Sequence, residues 1–429
     1  MKITILTIGS RGDVQPYAAL GAGLQSAGHR VTLATHACFE PMVRGLGLDH
    51  ALVAGDPRDT LEGEAGQKWL ETDVNPLSFM KRMMDAAKPI MWQVFDDYWK
   101  ASQNADLILF SVLAALPAAS IAEKLGVRAF PAYLQHIHAT RSYPNAIAQP
   151  LPLLGGVYNQ LTYFMGQHLF WQFMRSVINR WRVESLKLSP YPLNGPFGEW
   201  RKRRIPCLYG FSPSVIPKAP EWGDEVHITG YWFLEKSVDW QPPRSLIDFL
   251  QSGSAPVFIG FGSMTGRNPE EATRMIARAL DRTRQRGVLL TGLAGLGDTN
   301  LPDHIYKIES APFDWLFPEM AAVVHHGGAG TTGMGLRAGV PNVVVPFFGD
   351  QHFWGWRVEE LGAGPKPIRH TKLSVERLAS AIRECVTNKE MQSRVARLGQ
   401  QIRNEVGVAN AVEVIVKHLL KGNFFFTTR

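Results

Sequence analysis

The stretch richest in chemistry runs from Val323 to Gln351 and reads VVHHGGAGTTGMGLRAGVPNVVVPFFGDQ. A strand-like apolar run ends in His325 and His326 and then breaks into Gly327, Gly328, Ala329 and Gly330. Glycines let a backbone approach a ligand closely. Thr331 and Thr332 begin a helix, so the unpaired N–H groups of a helix start face whatever occupies the turn. That arrangement suits a phosphate, with His326 as a further donor; a glycine-rich turn that holds nothing is the plain alternative. After the next strand, Asp350 and Gln351 set an acceptor carboxylate beside a donor–acceptor amide, a pair suited to sugar hydroxyls. A second turn, Gly260-Phe261-Gly262-Ser263, offers Ser263 as one more donor to a diphosphate or as an ordinary helix cap.

A third candidate lies near the start, in ILTIGSRGDVQPYAALGAGL, Ile5 to Leu24. Three roles compete for Asp13: part of an Arg-Gly-Asp adhesion tripeptide, a cap on the following helix with Arg11 paired to it, or the base of an active site. The stretch LQHIHATRSYP adds His136, His138 and Arg141. These either line the entrance for a second substrate or, for the histidines, serve as hydrogen-bonded core residues.

The elements around these residues predict an α/β fold. Lys2–Ile8 reads as a strand, Gly9–Gly12 as a turn, Gln15–Ala27 as a helix and His29–Thr35 as a second strand, a βαβ opening for a parallel sheet. Ala255–Gly266 restarts the same scheme. The chain of 429 residues thus divides into two doubly wound, Rossmann-like domains facing a cleft. Residues 1–212 form the first, 213–243 a Pro- and Trp-rich connection, 244–408 the second, and 409–429 a terminal helix and Phe-rich tail that either packs back on the first domain or contacts an apolar partner.

Composition narrows the function classes. With 45% hydrophobic and 19% charged residues the chain is globular. A formal charge of +7 suits an anionic ligand or surface, while Arg201-Lys202-Arg203-Arg204 reads as a solvated loop, not a nucleic-acid site. The three cysteines are widely spaced and odd in number, which favours reduced thiols in the cytoplasm and no zinc site. The longest apolar run, Leu107 to Ala122, has 16 residues and is broken by Ser111 and Pro117, too short to span a bilayer. Phe79–Trp99 and Tyr158–Trp181 are dense in Met, Phe and Trp and predict core, a site for a flat apolar molecule, or a surface touching a membrane.

Taken together, the motifs resemble family 1 glycosyltransferases of the GT-B fold. The segments APFDWLF, HHGGAGTTGMGLRAGVP and PFFGDQHFWGWRVEELGAGPKPI, with LTYFMGQHLFWQFMRSVINRWR in the first half, are most similar to the sterol 3-beta-glucosyltransferase branch. The resemblance implies a UDP-sugar donor, UDP-glucose in the first instance. His326 and the Gly328, Ala329, Gly330 and Thr331 loop would hold the diphosphate with Ser263 opposite, Asp350 and Gln351 the sugar, and the segment containing Trp315 the uracil. Phe313 stands where relatives often carry histidine, and Met334 where plant-type relatives carry a ribose-binding glutamate. Asp13 would be the base of an inverting transfer to a hydroxyl of an apolar acceptor such as a sterol, hopanoid or other lipid alcohol. No metal and no resident cofactor is expected, nor a nucleic-acid partner. The protein is expected in the cytoplasm, in peripheral contact with a membrane.

Other classes fit less well. A dinucleotide oxidoreductase would carry GxGxxG after the first strand and an acid after the second, whereas Thr35-His36 stands there. Transfer to a polyketide, peptide or phenolic aglycone, and a GT-B isomerase acting on a UDP-sugar, remain as alternative reactions on the same fold.

Overall fold

The computed structural model describes residues 1–56, 76–235, 240–261, 269–291 and 301–420. The first domain runs β1 (Lys2–Leu6), α1 (Arg11–Ser26), β2 (Arg30–Thr35), α2 (Glu40–Gly45), β3 (Asp49–Leu52), α3 (Pro76–Ser102), β4 (Leu107–Phe110), α4 (Ala115–Leu125), β5 (Arg128–Tyr133), α5 (Gly155–Glu184), α6 (Phe197–Lys202), β6 (Cys207–Tyr209) and β7 (Val226–Ile228). Its strands pair in parallel in the order β3-β2-β1-β4-β5-β6-β7. β4 is buried throughout and β1 along all but its first residue, as expected when helices cover both faces of a parallel sheet. On α1, Val14, Tyr17, Ala18, Gly21 and Leu24 recur at helical spacing and are buried. The Tyr17 hydroxyl donates to the Ala132 carbonyl at 2.6 Å, fastening α1 to β5.

The second domain runs α7 (Arg244–Gln251), β8 (Val257–Gly260), α8 (Pro269–Thr283), β9 (Gly287–Leu290), β10 (Ile305–Ile308), α9 (Phe313–Leu316), β11 (Ala322–His325), α10 (Ala329–Ala338), β12 (Asn342–Val344), α11 (Gln351–Glu360), α12 (Val375–Thr387) and α13 (Lys389–Arg403). Its parallel sheet has the order β10-β9-β8-β11-β12. Both sheets therefore reverse direction beside their first strand, at β1/β4 and at β8/β11. Such switch points open a crevice at the carboxyl ends of the strands, where ligands bind.

The segment 213–243 is not only a connection: β7 lies inside it and extends the first sheet beyond β6. Among Pro and Trp residues, a three-residue edge strand leaves almost no periodic signal. The terminal helix α14 (Gly407–Leu420) does return to the first domain. It packs against α1, where a Cβ on Gly23 would stand 2.3 Å from Val408, and its Leu419 carbonyl accepts from Arg128 of β5. Ser212 and Ser214 both donate to Glu405 Oε1, at 2.5 and 3.2 Å, where the chain leaves the second domain. The Phe-rich tail lies outside the described residues. The three cysteines form no disulfide, and Cys207 and Cys385 are buried.

Candidate active site

The first turn, between β1 and α1, is built around a carboxylate. Gly9 adopts φ +125°, and a Cβ there would lie 2.6 Å from Asp13 Oδ2, so only glycine allows the turn to close over this side chain. Ser10 caps the helix in extended geometry, and Asp13 is its third residue. The Ser10 N–H and hydroxyl donate to Asp13 Oδ2 at 2.9 and 2.8 Å, and the Thr7 hydroxyl donates to the Asp13 carbonyl at 2.9 Å. Asp13 is thus the reciprocal partner in a capping box, not the cap itself. Arg11 turns away and donates to Gln15 at 2.8 Å. His36, the first residue after β2, accepts the Gly9 N–H on Nε2 at 3.3 Å and so carries its proton on Nδ1. Burial keeps its pKa below the ordinary histidine value.

Burial also pushes the Asp13 carboxyl up to about 6, against the two hydrogen bonds from Ser10, with the negative charge of Asp350 adding to the rise. A carboxylate that titrates near neutrality is suited to taking a proton in a reaction at cellular pH. Asp350 of the second domain is thus near enough to act on Asp13 of the first. Consistently, α1 packs against α10.

The second turn, between β11 and α10, is built around open amides. His325 is fully buried. Its Nδ1 accepts the Gly327 N–H at 3.0 Å and its Nε2–H donates to Asn342 Oδ1 at 2.9 Å. It is a brace for the turn, leaving His326 as the member of the pair beside the start of α10. Gly327 adopts φ +91°, and a Cβ on Gly328 would stand 2.6 Å from His326 Nε2, so the imidazole leans over the helix start. Burial lowers the His326 pKa to about 4, so the ring is neutral at pH 7 and acts as a hydrogen-bond donor without charge. α10 starts on Gly328 with no acid in its first turn. The first amides of a helix have no partner within it, and a Cβ added at Gly330 would meet nothing within 4 Å. The geometry and dipole of this end of α10 are of the kind that suits an anion. Thr331 is half-buried beside it, while Thr332 is buried.

A third group stands at the start of α11. Asp350 Oδ2 accepts from Trp354 Nε1 at 3.0 Å and, across the cleft, from Gln135 Nε2 at 3.4 Å. Burial raises its pKa. Gln351 is 5% exposed, and its Oε1 accepts the Phe347 and Phe348 N–H groups at 2.8 and 3.2 Å. Its oxygen shapes the turn, which leaves the amide nitrogen to offer to a ligand. Trp315 is half-buried against Trp240, with ring centroids 5.2 Å apart, whereas Phe313 stacks on Phe317 at 4.4 Å and belongs to the core. Ser263 lies outside the described residues.

The histidines expected at the acceptor entrance have other duties. His136 is fully buried, bonded to the Pro144 carbonyl at 2.8 Å and packed on Phe353 of the second domain at 4.5 Å. It is a core residue where the domains meet, and burial holds its pKa near about 4. The Tyr209 hydroxyl accepts the Ile137 and His138 N–H groups at 2.8 and 2.9 Å and donates to His138 Nδ1 at 2.6 Å, so His138 braces its own loop. Arg141 is exposed, and its N–H donates to Glu221 at 3.1 Å. His36, Gln135 and Trp240 were not expected at the site.

The chain is similar to known proteins along nearly its whole length. Residues 3–141 match the glycosyltransferase family 28 N-terminal domain. Residues 290–419 match the erythromycin biosynthesis protein CIII-like C-terminal domain. A sterol 3-beta-glucosyltransferase of Emericella nidulans is 42% identical over 98% of this chain, which spans 30% of that relative's length. The crystal structure of the calicheamicin glycosyltransferase CalG4 superposes with a TM-score of 0.71 at 19% identity, covering 98% of each chain. Glycosyltransferase VinC, solved in complex with DTDP, superposes at 0.65 with 17% identity, covering 98% of this chain and 100% of that one.

Proposed function

The chain belongs to the glycosyltransferases of the GT-B fold, and from that premise we propose that it moves a hexose, glucose in the first instance, from a UDP-sugar to a hydroxyl of a sterol or similarly flat apolar alcohol. The observation that carries the reading is the pairing of Asp13, with its pKa near 6, and the open helix start of α10 on opposite walls of one cleft. In the proposed step the acceptor oxygen attacks the anomeric carbon from the face opposite the diphosphate. Its proton passes to Asp13, the bond from the anomeric carbon to the diphosphate oxygen breaks, and UDP leaves. A neutral hydroxyl is a poor nucleophile, so a base so placed accelerates the attack. Charge developing on the diphosphate is met by the α10 amides and by His326, donors fixed before the reaction begins. Displacement from one face converts an α-linked donor into a β-glycoside.

Asp350 and the Gln351 amide are assigned to the sugar, and Trp315 with Trp240 to the base of the nucleotide. The leaving diphosphate is assigned to the α10 amides and His326, hydrogen-bond donors that act without a metal in this reading, and chelator-treated enzyme is expected to keep its rate. The acceptor class rests on the sterol 3-beta-glucosyltransferase relatives, and an acceptor of that kind places the enzyme at a membrane surface facing the cytoplasm. The test is incubation with UDP-glucose and a panel of sterols, hopanoids and phenolic alcohols, read by mass spectrometry for a hexose increment. A glycosylated sterol is the expected product. Loss of UDP-glucose with no glycosylated acceptor would replace the reading with isomerisation or hydrolysis.

A further inference from the structure

We infer that the start of α5 and the loop before it form a docking surface for an anionic lipid bilayer, from which the acceptor enters the cleft; the inference rests on the acceptor class proposed above. Leu153, Leu154, Val157, Leu161, Phe164 and Met165 range from 44% exposed at Phe164 to full exposure at Leu153. The last four follow helical spacing along one stripe of α5. That stripe faces outward, where a helix at a water-facing surface carries charge. The buried side of the same helix is separate and includes Tyr163, Trp171, Ile178 and Trp181. Hence Tyr158–Trp181 divides its duties: its later turns supply most of the core residues, and its first turns leave one apolar stripe uncovered. Contiguous exposed apolar surface of this kind marks an interaction site.

The charge pattern selects the occupant. From Ser142 to Met174, 33 residues contain no Asp, Glu, Lys or Arg, and Arg141 and Arg175 bracket them. The basic cluster of α6 and the residues after it closes one edge: the Arg201 guanidinium lies 5.7 Å from the Phe164 ring centroid and donates to Gln167. Glu199, the single acid between Phe197 and Arg204, lies 3.6 and 3.8 Å from Lys202 and Arg203, and Arg204 pairs with Glu225 at 2.8 Å, so the cluster keeps a net positive charge with Arg201 turned to the stripe. An apolar stripe with a cationic rim matches acyl chains beneath anionic headgroups. A second copy would bring an equal cationic rim to the contact. No helix among the described residues is long and apolar enough to cross a membrane.

The position also connects to chemistry. The loop that leaves β5 touches the second domain through Gln135, and a few residues later it supports α5 from beneath. The Asn159 amide donates to the Arg141 carbonyl at 2.9 Å, the Asn145 N–H donates to Thr162 at 2.8 Å and the Tyr163 hydroxyl donates to the Tyr143 carbonyl at 3.1 Å. One loop therefore joins the cleft to the exposed stripe.

The test compares wild type with Leu153→Gln/Leu161→Gln/Met165→Gln and with Arg201→Glu/Lys202→Glu, all at exposed positions outside the reacting groups. Co-sedimentation is measured with phosphatidylcholine vesicles, with and without phosphatidylglycerol. Wild type is expected to bind the anionic vesicles at least about tenfold more tightly than either variant, and high salt is expected to weaken it. Transfer to vesicle-borne sterol should fall in both variants, while transfer to cyclodextrin-carried sterol stays at the wild-type rate. Equal vesicle binding by wild type and the glutamine variant overturns the inference. So does a wild-type dimer in light scattering that the glutamine variant dissolves. Vesicle binding that follows the expected order without transfer to any sterol supports the docking surface and counts against the acceptor class.

Discussion

Two turns face each other across the cleft on one plan with opposite electrical outcomes. Each has a glycine with positive φ before the helix cap, Gly9 and Gly327. Each of those glycines gives its N–H to a buried histidine ring, His36 at 3.3 Å and His325 at 3.0 Å. Each then places a glycine second in the helix, in Ser10-Arg11-Gly12-Asp13 and in Gly328-Ala329-Gly330-Thr331. They part at the third helical position. There Asp13 folds back and takes the Ser10 donors, so the first turn supplies its own anion. Thr331 leaves the second helix start to an anion from outside. In the proposed reaction the same backbone device holds a proton acceptor on one wall and receives a leaving group on the other, and one side chain decides which.

Removing the carboxylate from the first turn is expected to have the largest effect. Asp13→Asn should lower kcat by about a thousandfold, within the range a positioned base contributes, while leaving UDP affinity by calorimetry unchanged. The same variant should melt at a higher temperature than wild type at pH 7.5. A folded-state pKa of about 6 against an ordinary 3.8 means that holding the ionised form costs at most about 3 kcal/mol. Normal turnover by the Asp13→Asn variant would sink the assignment; an inactive and less stable variant would make Asp13 a structural residue.

Next comes conversion of the second turn into the first. Thr331→Asp places a carboxylate at the position equivalent to Asp13, beside the site for the donor's diphosphate. Repulsion between such charges at close range, together with competition for the α10 amides, should weaken UDP binding by about a hundredfold. Thr331→Asn, of the same shape without the charge, should weaken it far less. Equal losses in both would mean that the side chain matters by size, and the electrical contrast between the turns would fail.

The two turns were legible in the sequence because their signals are local: an apolar strand, a glycine cluster and a helix start within about ten residues of chain. Their partners were not. His36 reaches Gly9 from 27 residues away and Gln135 reaches Asp350 from 215, and neither carries a motif. His325 and His326 are adjacent in sequence, yet only the folded register separates the brace from the residue beside the helix start. His136 shows the converse limit. A histidine on a loop at the end of a strand reads equally as a ligand-facing group or as core, and its packing on Phe353 favours core. The two-domain plan was readable from the restart at Ala255, but β7 was hidden in a Pro- and Trp-rich stretch, where pairing with β6 creates the strand.

The two walls also differ in what acid does to them. Protonation of Asp13 below about pH 6 removes the base, so kcat/KM should fall tenfold per pH unit on that side and level off above it. His326, already neutral down to about pH 4, contributes nothing to this limb. Stability runs the other way. Because the folded-state pKa of Asp13 is raised, its contribution favours folding at low pH and is lost as pH rises from about 4 to 6. The wild-type minus Asp13→Asn difference in melting temperature should follow that window. An acid limb that persists in the residual activity of the variant would assign the titration elsewhere.

The smallest expected effect concerns the link between the walls. Gln135 donates to Asp350 at 3.4 Å, a long contact within the range where hydrogen bonds to a charged group weaken. In the proposed complex Asp350 receives sugar hydroxyls, which must displace or share with this amide. Removing a competitor of that strength should tighten UDP-glucose binding by about twofold, corresponding to roughly 0.4 kcal/mol, below the usual value of a good hydrogen bond. UDP carries no sugar, so its affinity should not change. Calorimetry of Gln135→Ala with both ligands reads the difference directly. Weaker binding of UDP-glucose alone would make Gln135 part of the sugar site, so that the first wall also holds the donor. Equal weakening of UDP and UDP-glucose would instead make it a strut that keeps the two turns at their working distance.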